Sequence, residues 1–219
     1  MRHLPMIVCL CLGLGAGPVI AGETYDLLFR SGALTNVALA AGGGLDYAQI
    51  SSGTAAEPVP ESFLLALRIE PDDTATLTLH QGDKSRGLGS FPASVGNPVI
   101  MYFMETALRD MAEQSGGSPF YIRNRIKEAL LGEAEIVPVV VPFAGHDVAA
   151  REITIRPFAQ DAARSRMGGF ADLALAVTVS EDLPGWYYAL VATAPAAAGA
   201  SGEGYSTAIT LIAEAKDSQ

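Results

Sequence analysis

The chain is poor in the residues that build disulfides, metal centres and many catalytic sites. Its 219 residues include two cysteines, Cys9 and Cys11, and three histidines. Both cysteines lie in an apolar N-terminal stretch, so residues 22–219 contain no thiol and only two histidines, His80 and His146. This scarcity excludes a disulfide-stabilised scaffold and a cysteine nucleophile after residue 21, and it leaves too few ligands for the usual zinc clusters.

Positive charge is also scarce. The sequence has 14 Lys and Arg against 24 Asp and Glu, a formal net charge of −10, and without Arg2 this becomes −10 − 1 = −11. A chain this acidic has no overall electrostatic attraction for nucleic acid or for an anionic membrane surface. Its hydrophobic fraction of 49% is typical of a folded protein.

The N-terminal segment has the organisation of a secretory signal peptide. Arg2 supplies a positive charge, residues 4–20 are almost all apolar, and residues 19–21 provide a cleavage site. We predict cleavage after Ala21, which leaves a single exported domain at residues 22–219, periplasmic or secreted. The competing interpretation is a transmembrane anchor, which needs about 20 apolar residues, whereas this run is broken by Gly and Pro. No stable membrane span is expected after cleavage.

Most of the remaining chain alternates apolar and polar residues with the period of two that half-buried β-strands require. The strands predicted on this basis are residues 23–30, 33–41, 46–51, 62–70, 74–80, 87–91, 135–143, 149–156, 172–180, 186–193 and 205–213. Residues 52–61 read as a surface loop. Pro138 and Pro142 place residues 135–143 at a sheet edge, because proline cannot donate a ladder hydrogen bond.

Two helical patterns interrupt the strands at residues 97–131. Asn97 is a typical N-cap, and Pro98 suits the first helical position. The apolar face of the first helix comprises Ile100, Met101, Phe103, Met104, Ala107, Leu108, Met111 and Ala112. After Gly116 and Gly117 comes a second helix with a narrower apolar stripe. That stripe consists of Ile122, Ile126, Ala129 and Leu130.

Together these elements predict an α+β fold. Strands within residues 23–93 and 135–214 form an antiparallel β-sheet system, either a sandwich or a strongly curved sheet, and the helical hairpin packs on one face. In this arrangement the first helix belongs to the core and the second covers it as a lid.

The second helix carries the predicted binding site. Arg123 and Lys127 lie one turn apart on one flank, and Tyr121 and Arg125 lie on the other. Three cations within five residues of so acidic a chain indicate a small anionic ligand or an envelope protein as the partner. A solvent-exposed helix face would explain the same residues without any partner. The methionines of the first helix likewise either line an adaptable binding surface or fill the core.

No catalytic, metal-binding or cofactor motif is recognisable. The glycines at residues 42–44 are not followed by Lys-Ser/Thr or by a helical pattern, so they indicate a turn and not a phosphate loop. His146 precedes Asp147 in a predicted hairpin turn, and turn formation explains both residues. We therefore expect no catalytic residues, no metal and no cofactor.

The function predicted from the sequence is thus that of an exported, non-catalytic protein that binds a ligand or another protein. One alternative is a hydrolase whose site is assembled from loops around His80 or His146. A second alternative is an envelope or surface-fibre subunit whose final strand, residues 205–213, pairs between chains.

Overall fold

A nine-stranded antiparallel sheet and two long helices form the body of the molecule. The computed structural model describes residues 22–38, 43–52, 61–199 and 204–213. The strands are β1 (Gly44–Ser52), β2 (Glu61–Ile69), β3 (Thr74–Gln81), β4 (Lys84–Pro92), β5 (Glu135–Phe143), β6 (His146–Ile155), β7 (Ala174–Val179), β8 (Tyr187–Ala194) and β9 (Tyr205–Leu211). The helices are α1 (Glu23–Leu28), α2 (Thr35–Ala38), α3 (Val99–Ser115) and α4 (Pro119–Leu130). The α+β prediction is confirmed.

The strands form a single open sheet and not a sandwich. Their order is β4-β3-β2-β1-β9-β8-β7-β6-β5, and every neighbouring pair is antiparallel. The predicted hairpins β2–β3 and β5–β6 are confirmed, and β5 is an edge strand, as its two prolines require. The last strand, β9, lies in the middle of the sheet between β1 and β8.

The two strands predicted at residues 23–30 and 33–41 are wrong where the structure describes them. Residues Glu23–Leu28 form α1, and Thr35–Ala38 form α2. In α1, Thr24 and Leu28 are both buried and lie one helical turn apart. The segment is therefore organised by a helical repeat that the apparent alternation of its sequence conceals.

Remote partners hold α1 in place. Thr24 Oγ1 donates to the carbonyl of Gly132 over 2.9 Å and accepts from the backbone N–H of Ala134 over 3.2 Å. At the other end of the helix, Trp186 Nε1 donates to the Leu27 carbonyl at 2.8 Å. Tyr187 Oη likewise donates to the Leu28 carbonyl at 2.6 Å. The bonds from Trp186 and Tyr187 satisfy carbonyls that the end of a helix leaves without a partner inside the helix.

Helix α3 packs its apolar face into the core. Its buried residues are Val99, Ile100, Phe103, Met104, Thr106, Ala107, Leu108 and Met111. The apolar ones belong to one buried cluster with Tyr47, Leu65, Leu77 and Ile209 of the sheet, and each large apolar side chain that is fully buried contributes about 1.5–3 kcal/mol. The predicted face is wrong at Met101, which is 56% exposed. Thr106, on the side predicted to be polar, is buried instead.

Asn97 joins α3 to the sheet. Its Oδ1 accepts from the backbone N–H of Val99, the first residue of α3, at 3.1 Å, although Pro98 occupies the N-cap position that the sequence assigned to Asn97. Its Nδ2 donates to Tyr47 Oη at 2.9 Å and to the Gly185 carbonyl at 2.8 Å. One buried side chain thus fixes the start of α3 against β1 and the turn before β8.

Two of the sequence predictions lie outside the described residues: the signal peptide at residues 1–21, and most of the loop at residues 52–61, of which 53–60 are not described. The division into a signal peptide and a single exported domain stays a prediction. Within the described ranges, no helix combines the length and the hydrophobicity needed to span a membrane.

Candidate functional site

An apolar groove of about 550 Å³ lies between α1, the first turns of α3, and α4. The apolar side chains that line it include Tyr25, Phe29, Phe91, Val95, Ile100, Met101, Met104 and Leu108. Three of them are unusually accessible, because Tyr25 is 46%, Met101 56% and Val95 68% exposed. Large apolar side chains gathered at one concave surface are a feature of binding sites.

Three elements position the walls of this groove. Helix α1 contributes Tyr25, and its C-cap residue is Phe29; the two rings are stacked with centroids 4.7 Å apart. Helix α3 contributes the flank that carries Met101, Met104 and Leu108. Helix α4 contributes Ile126 and Leu130, the inner part of its apolar stripe. The groove therefore depends on α1 being a helix docked beside α3.

Cationic side chains stand at the groove, but most of them are already paired. Arg123 Nη2 lies 2.9 Å from Oε1 of Glu105 on α3. Arg30 Nη1 lies 2.7 Å from Oε1 of Glu181, and this contact lowers the pKa of Glu181. Lys127 also lines the groove, and its side chain makes no hydrogen bond or ion pair with any described residue.

Arg30 is further fixed by Trp186. The guanidinium carbon of Arg30 lies 4.3 Å from the centroid of the Trp186 ring, which is cation–π geometry. Because Trp186 also holds the end of α1, Arg30 is part of the support of the groove wall. Among the described cations that line the groove, Lys127 is therefore the one without an ion pair.

The other two predicted site residues do not face the groove. Tyr121 Oη donates to the Asp161 carboxylate and is 2.7 Å from each of its oxygens. Arg125 pairs with Glu128 at 3.0 Å, and its Nε is 3.7 Å from Asp161 Oδ2. The four predicted residues thus separate into Arg123 and Lys127 at the groove, and Tyr121 and Arg125 at a contact between α4 and Asp161.

Asp161 is a buried carboxylate held in its charged form. Its side chain is 1% exposed, and this desolvation opposes ionisation. Hydrogen bonds from Tyr121 and from the backbone N–H of Ala163, together with the charges of Arg125 and Arg164, outweigh desolvation and lower the pKa of Asp161. The same carboxylate raises the pKa of Tyr121. This contact anchors α4 and is a structural one.

The two histidines are not brought together. His80 lies on β3 and His146 begins β6, so β2, β1, β9, β8 and β7 separate them in the sheet. Neither imidazole makes a hydrogen bond or ion pair with another residue in the described part of the chain. Among the same residues, no three His, Cys, Asp or Glu side chains are grouped to hold a metal ion. The hydrolase alternative gains no assembled site from this arrangement.

The alternative of a fibre subunit loses the feature on which it depended. It needed a final strand free to pair between chains, whereas β9 pairs with β1 along one side and with β8 along the other.

Sequence reasoning missed the wall that α1 provides and assigned Met101 to the core. A signal for Met101 was available: at 100° per residue it lies near the margin of the apolar arc, beside Ala112 and close to the polar Glu105. No comparable signal identified Tyr25 and Phe29, because their positions depend on contacts with residues far along the chain.

No protein-family model and no curated protein matches this sequence. Solved structures similar to the chain include the lipoprotein LppX of Mycobacterium tuberculosis, at 11% sequence identity and a TM-score of 0.33. The match covers 86% of this chain and 93% of LppX. A likeness at this TM-score supports neither a shared family nor a shared ligand.

Proposed function

We propose that this protein is an exported, non-catalytic binding protein that holds an anionic amphiphile, an apolar chain ending in an anionic group, in the groove between α1, α3 and α4. The observation that carries the proposal is one cation, Lys127, that makes no ion pair with any described residue and lies at an apolar groove whose side chains are partly open to water. The predicted signal peptide supports a periplasmic or secreted location.

The apolar part of the ligand accounts for most of the affinity. The groove of about 550 Å³ is within the range of roughly 300–1,000 Å³ typical of small-molecule sites. Covering Met101, Val95 and Tyr25 removes apolar surface from water, which is worth about 25 cal/mol for each Å² buried. Methionine adapts well to chains of different shape because its side chain is unbranched and polarizable.

The anionic group accounts for orientation and selectivity. Arg123 and Glu105 neutralise each other, so a ligand would have to compete with an existing pair to use that arginine. Lys127 has no such pair and is exposed. An exposed ion pair contributes about 0.2–1 kcal/mol, so the charge of Lys127 changes affinity by up to about fivefold.

The test is a titration of the chain from residue 22 with three 12-carbon probes: laurate, dodecanol and dodecyltrimethylammonium. Binding is measured by displacement of the fluorescent anion anilinonaphthalene sulfonate. We expect laurate to bind best and the cationic probe worst. Lys127→Met, which keeps the length of the side chain, should weaken laurate binding by about three- to fivefold and leave dodecanol binding unchanged.

Two further variants complete this design. Arg151→Gln removes an exposed cation on β6, away from the groove, and should leave the affinity for each of the three probes unchanged. Met101→Asp places a negative charge in the groove and should weaken the binding of laurate and dodecanol. Equal binding of the anionic and cationic probes, or binding that is insensitive to Met101→Asp, would contradict the proposal.

A further inference from the structure

A second cavity, of about 590 Å³, lies on the flank of α3 opposite the groove. It is bounded by α3 and by ends of β1, β2, β3, β4 and β9. More than half of the described residues that line it carry a hydroxyl or a side-chain amide group, among them Gln49, Ser51, Ser85, Tyr102, Thr106 and Tyr205. Its chemistry is therefore unlike that of the apolar groove, and a different class of ligand suits it.

Thr106 supplies the observation that points to a ligand. Thr106 is 3% exposed, and its Oγ1 has no hydrogen-bond partner among the residues that the structure describes. A buried hydroxyl left without a partner is unfavourable, and native proteins usually satisfy such groups with a protein, solvent or ligand atom. Because Thr106 lines the cavity, a molecule bound there can supply the missing partner.

The neighbouring polar groups form a chain of mixed donors and acceptors. Tyr102 Oη donates to Gln49 Oε1 at 2.8 Å, and Gln49 Nε2 donates to Ser51 Oγ at 3.4 Å. Ser51 Oγ is in turn 2.7 Å from Thr207 Oγ1. The tyrosine and serine hydroxyls keep lone pairs that can still accept. Hydroxyl groups of a ligand, which both donate and accept, match this pattern.

Positive charge exceeds negative charge around the cavity. Lys84, Arg86 and Arg109 line it, together with the carboxylates of Glu61 and Asp110. Asp110 already accepts a hydrogen bond from Tyr205 Oη at 3.0 Å, and Arg109 Nη2 is 3.7 Å from its other oxygen. Lys84 and Arg86 make no ion pair with any described residue. An anionic group on the ligand would compensate this excess.

We propose that this cavity is a second binding site, for a small hydroxylated anion of the size of a sugar acid. The hydroxyl groups of the ligand form hydrogen bonds with Thr106, Tyr102 and Gln49. Its carboxylate lies near Lys84 and Arg86. The inference stands apart from the proposed function, because α3 separates the two sites and the two ligands differ in class.

The test uses D-glucuronate, with D-glucose as the uncharged and acetate as the non-hydroxylated counterpart, titrated by calorimetry into the chain from residue 22. We expect glucuronate to bind with a dissociation constant on the order of 1 mM for a ligand of this size, and the other two at least tenfold more weakly. If glucose bound with the same affinity as glucuronate, the anionic part of the proposal would be overturned. The absence of any glucuronate binding at 50 mM, a concentration chosen at roughly 50 times that constant, would overturn all of it.

Thr106→Val separates a binding role from a structural one, because it removes the hydroxyl and keeps the shape. We expect glucuronate affinity to fall about five- to tenfold and the thermal midpoint to hold or rise, since no internal hydrogen bond is lost. Arg86→Gln, an exposed change that leaves the fold intact, should weaken glucuronate binding while Arg151→Gln on β6 should not. Unchanged affinity in both Thr106→Val and Arg86→Gln would refute the site.

Discussion

Asp161 illustrates, at the scale of a single residue, how one buried charge can fix a helix. Its carboxylate accepts hydrogen bonds from the Tyr121 hydroxyl of α4 and from the backbone N–H of Ala163. The Tyr121 bond connects α4 to the segment that follows β6. The arrangement uses two residues whose sequence positions had indicated a binding site. Both residues contact Asp161, and among the described cations of α4 Lys127 is the one without an ion pair.

Tyr121→Phe should lower the free energy of unfolding by about 1–2 kcal/mol at neutral pH, because it removes a hydrogen bond to a charged acceptor. The pKa of Asp161 is lower in the folded protein, so the contribution of its charged form is complete above the unfolded pKa of about 3.9 and is lost as the pH falls through the folded pKa. The difference between wild type and variant should therefore be constant from about pH 5 upward and shrink in acid.

Urea unfolding of both proteins at a series of pH values measures this difference. A loss that stays constant down to the lowest pH would show that the tyrosine acts through packing alone. Laurate affinity should be the same in both proteins, because Tyr121 does not line the groove.

At the scale of elements, the sequence predicted those helices and hairpins that depend on residues close together in the chain. The hairpins β2–β3 and β5–β6 were predictable because period-two alternation and turn residues both lie within a few positions of each other. Helix α3 was predictable from its apolar face and from Asn97. Helix α1 was not, since its hydrogen-bond partners are 108 to 159 positions away in sequence.

The binding groove was predictable only in part for the same reason. The predicted cationic residues of the groove lie on α4 and could be identified from its sequence. Its aromatic wall is formed by Tyr25 and Phe29 and exists only when α1 is packed beside α3. The polar cavity was hidden more completely, because Thr106 lies on the face of α3 that the helical wheel assigned to solvent.

Thr24→Val should loosen α1 and the groove wall together. The substitution keeps the shape of the side chain but leaves the Gly132 carbonyl and the Ala134 N–H without their partner, at a cost of about 1–2 kcal/mol. We expect faster amide hydrogen exchange throughout α1 and weaker laurate binding. Thr193→Val, an exposed change on β8, is the matched control and should alter neither. Undiminished protection of α1 would mean that Trp186 and Tyr187 are sufficient to hold it.

At the scale of the whole molecule, the sheet is completed by its last strand. The two edge strands carry features that discourage pairing with other chains, namely Pro138 and Pro142 on β5, and Lys84 and Arg86 on β4. The centre of the sheet depends on β9, which pairs along its length with β1 and β8. In the described sheet, β9 therefore joins the half formed by β1 to β4 to the half formed by β5 to β8.

A chain that ends at residue 204 should fail to fold, because β1 and β8 would each lose a neighbouring strand at the centre of the core. A chain that ends at residue 213 keeps β9 and should fold as the full chain does. Circular dichroism and size-exclusion chromatography of the two truncations measure the outcome. A folded half in the shorter chain would contradict the prediction of a single domain.

The central position of the last strand also governs when the molecule acquires its structure. Tyr47 pairs with Leu211, so one of the first strands to be synthesised waits for a partner 211 − 47 = 164 positions later. Pairing over such a distance is slow and has no substitute from nearby sequence. During synthesis the sheet therefore remains incomplete until β9 is available. A polypeptide that must cross a membrane before folding, as the predicted signal peptide implies, benefits from that delay.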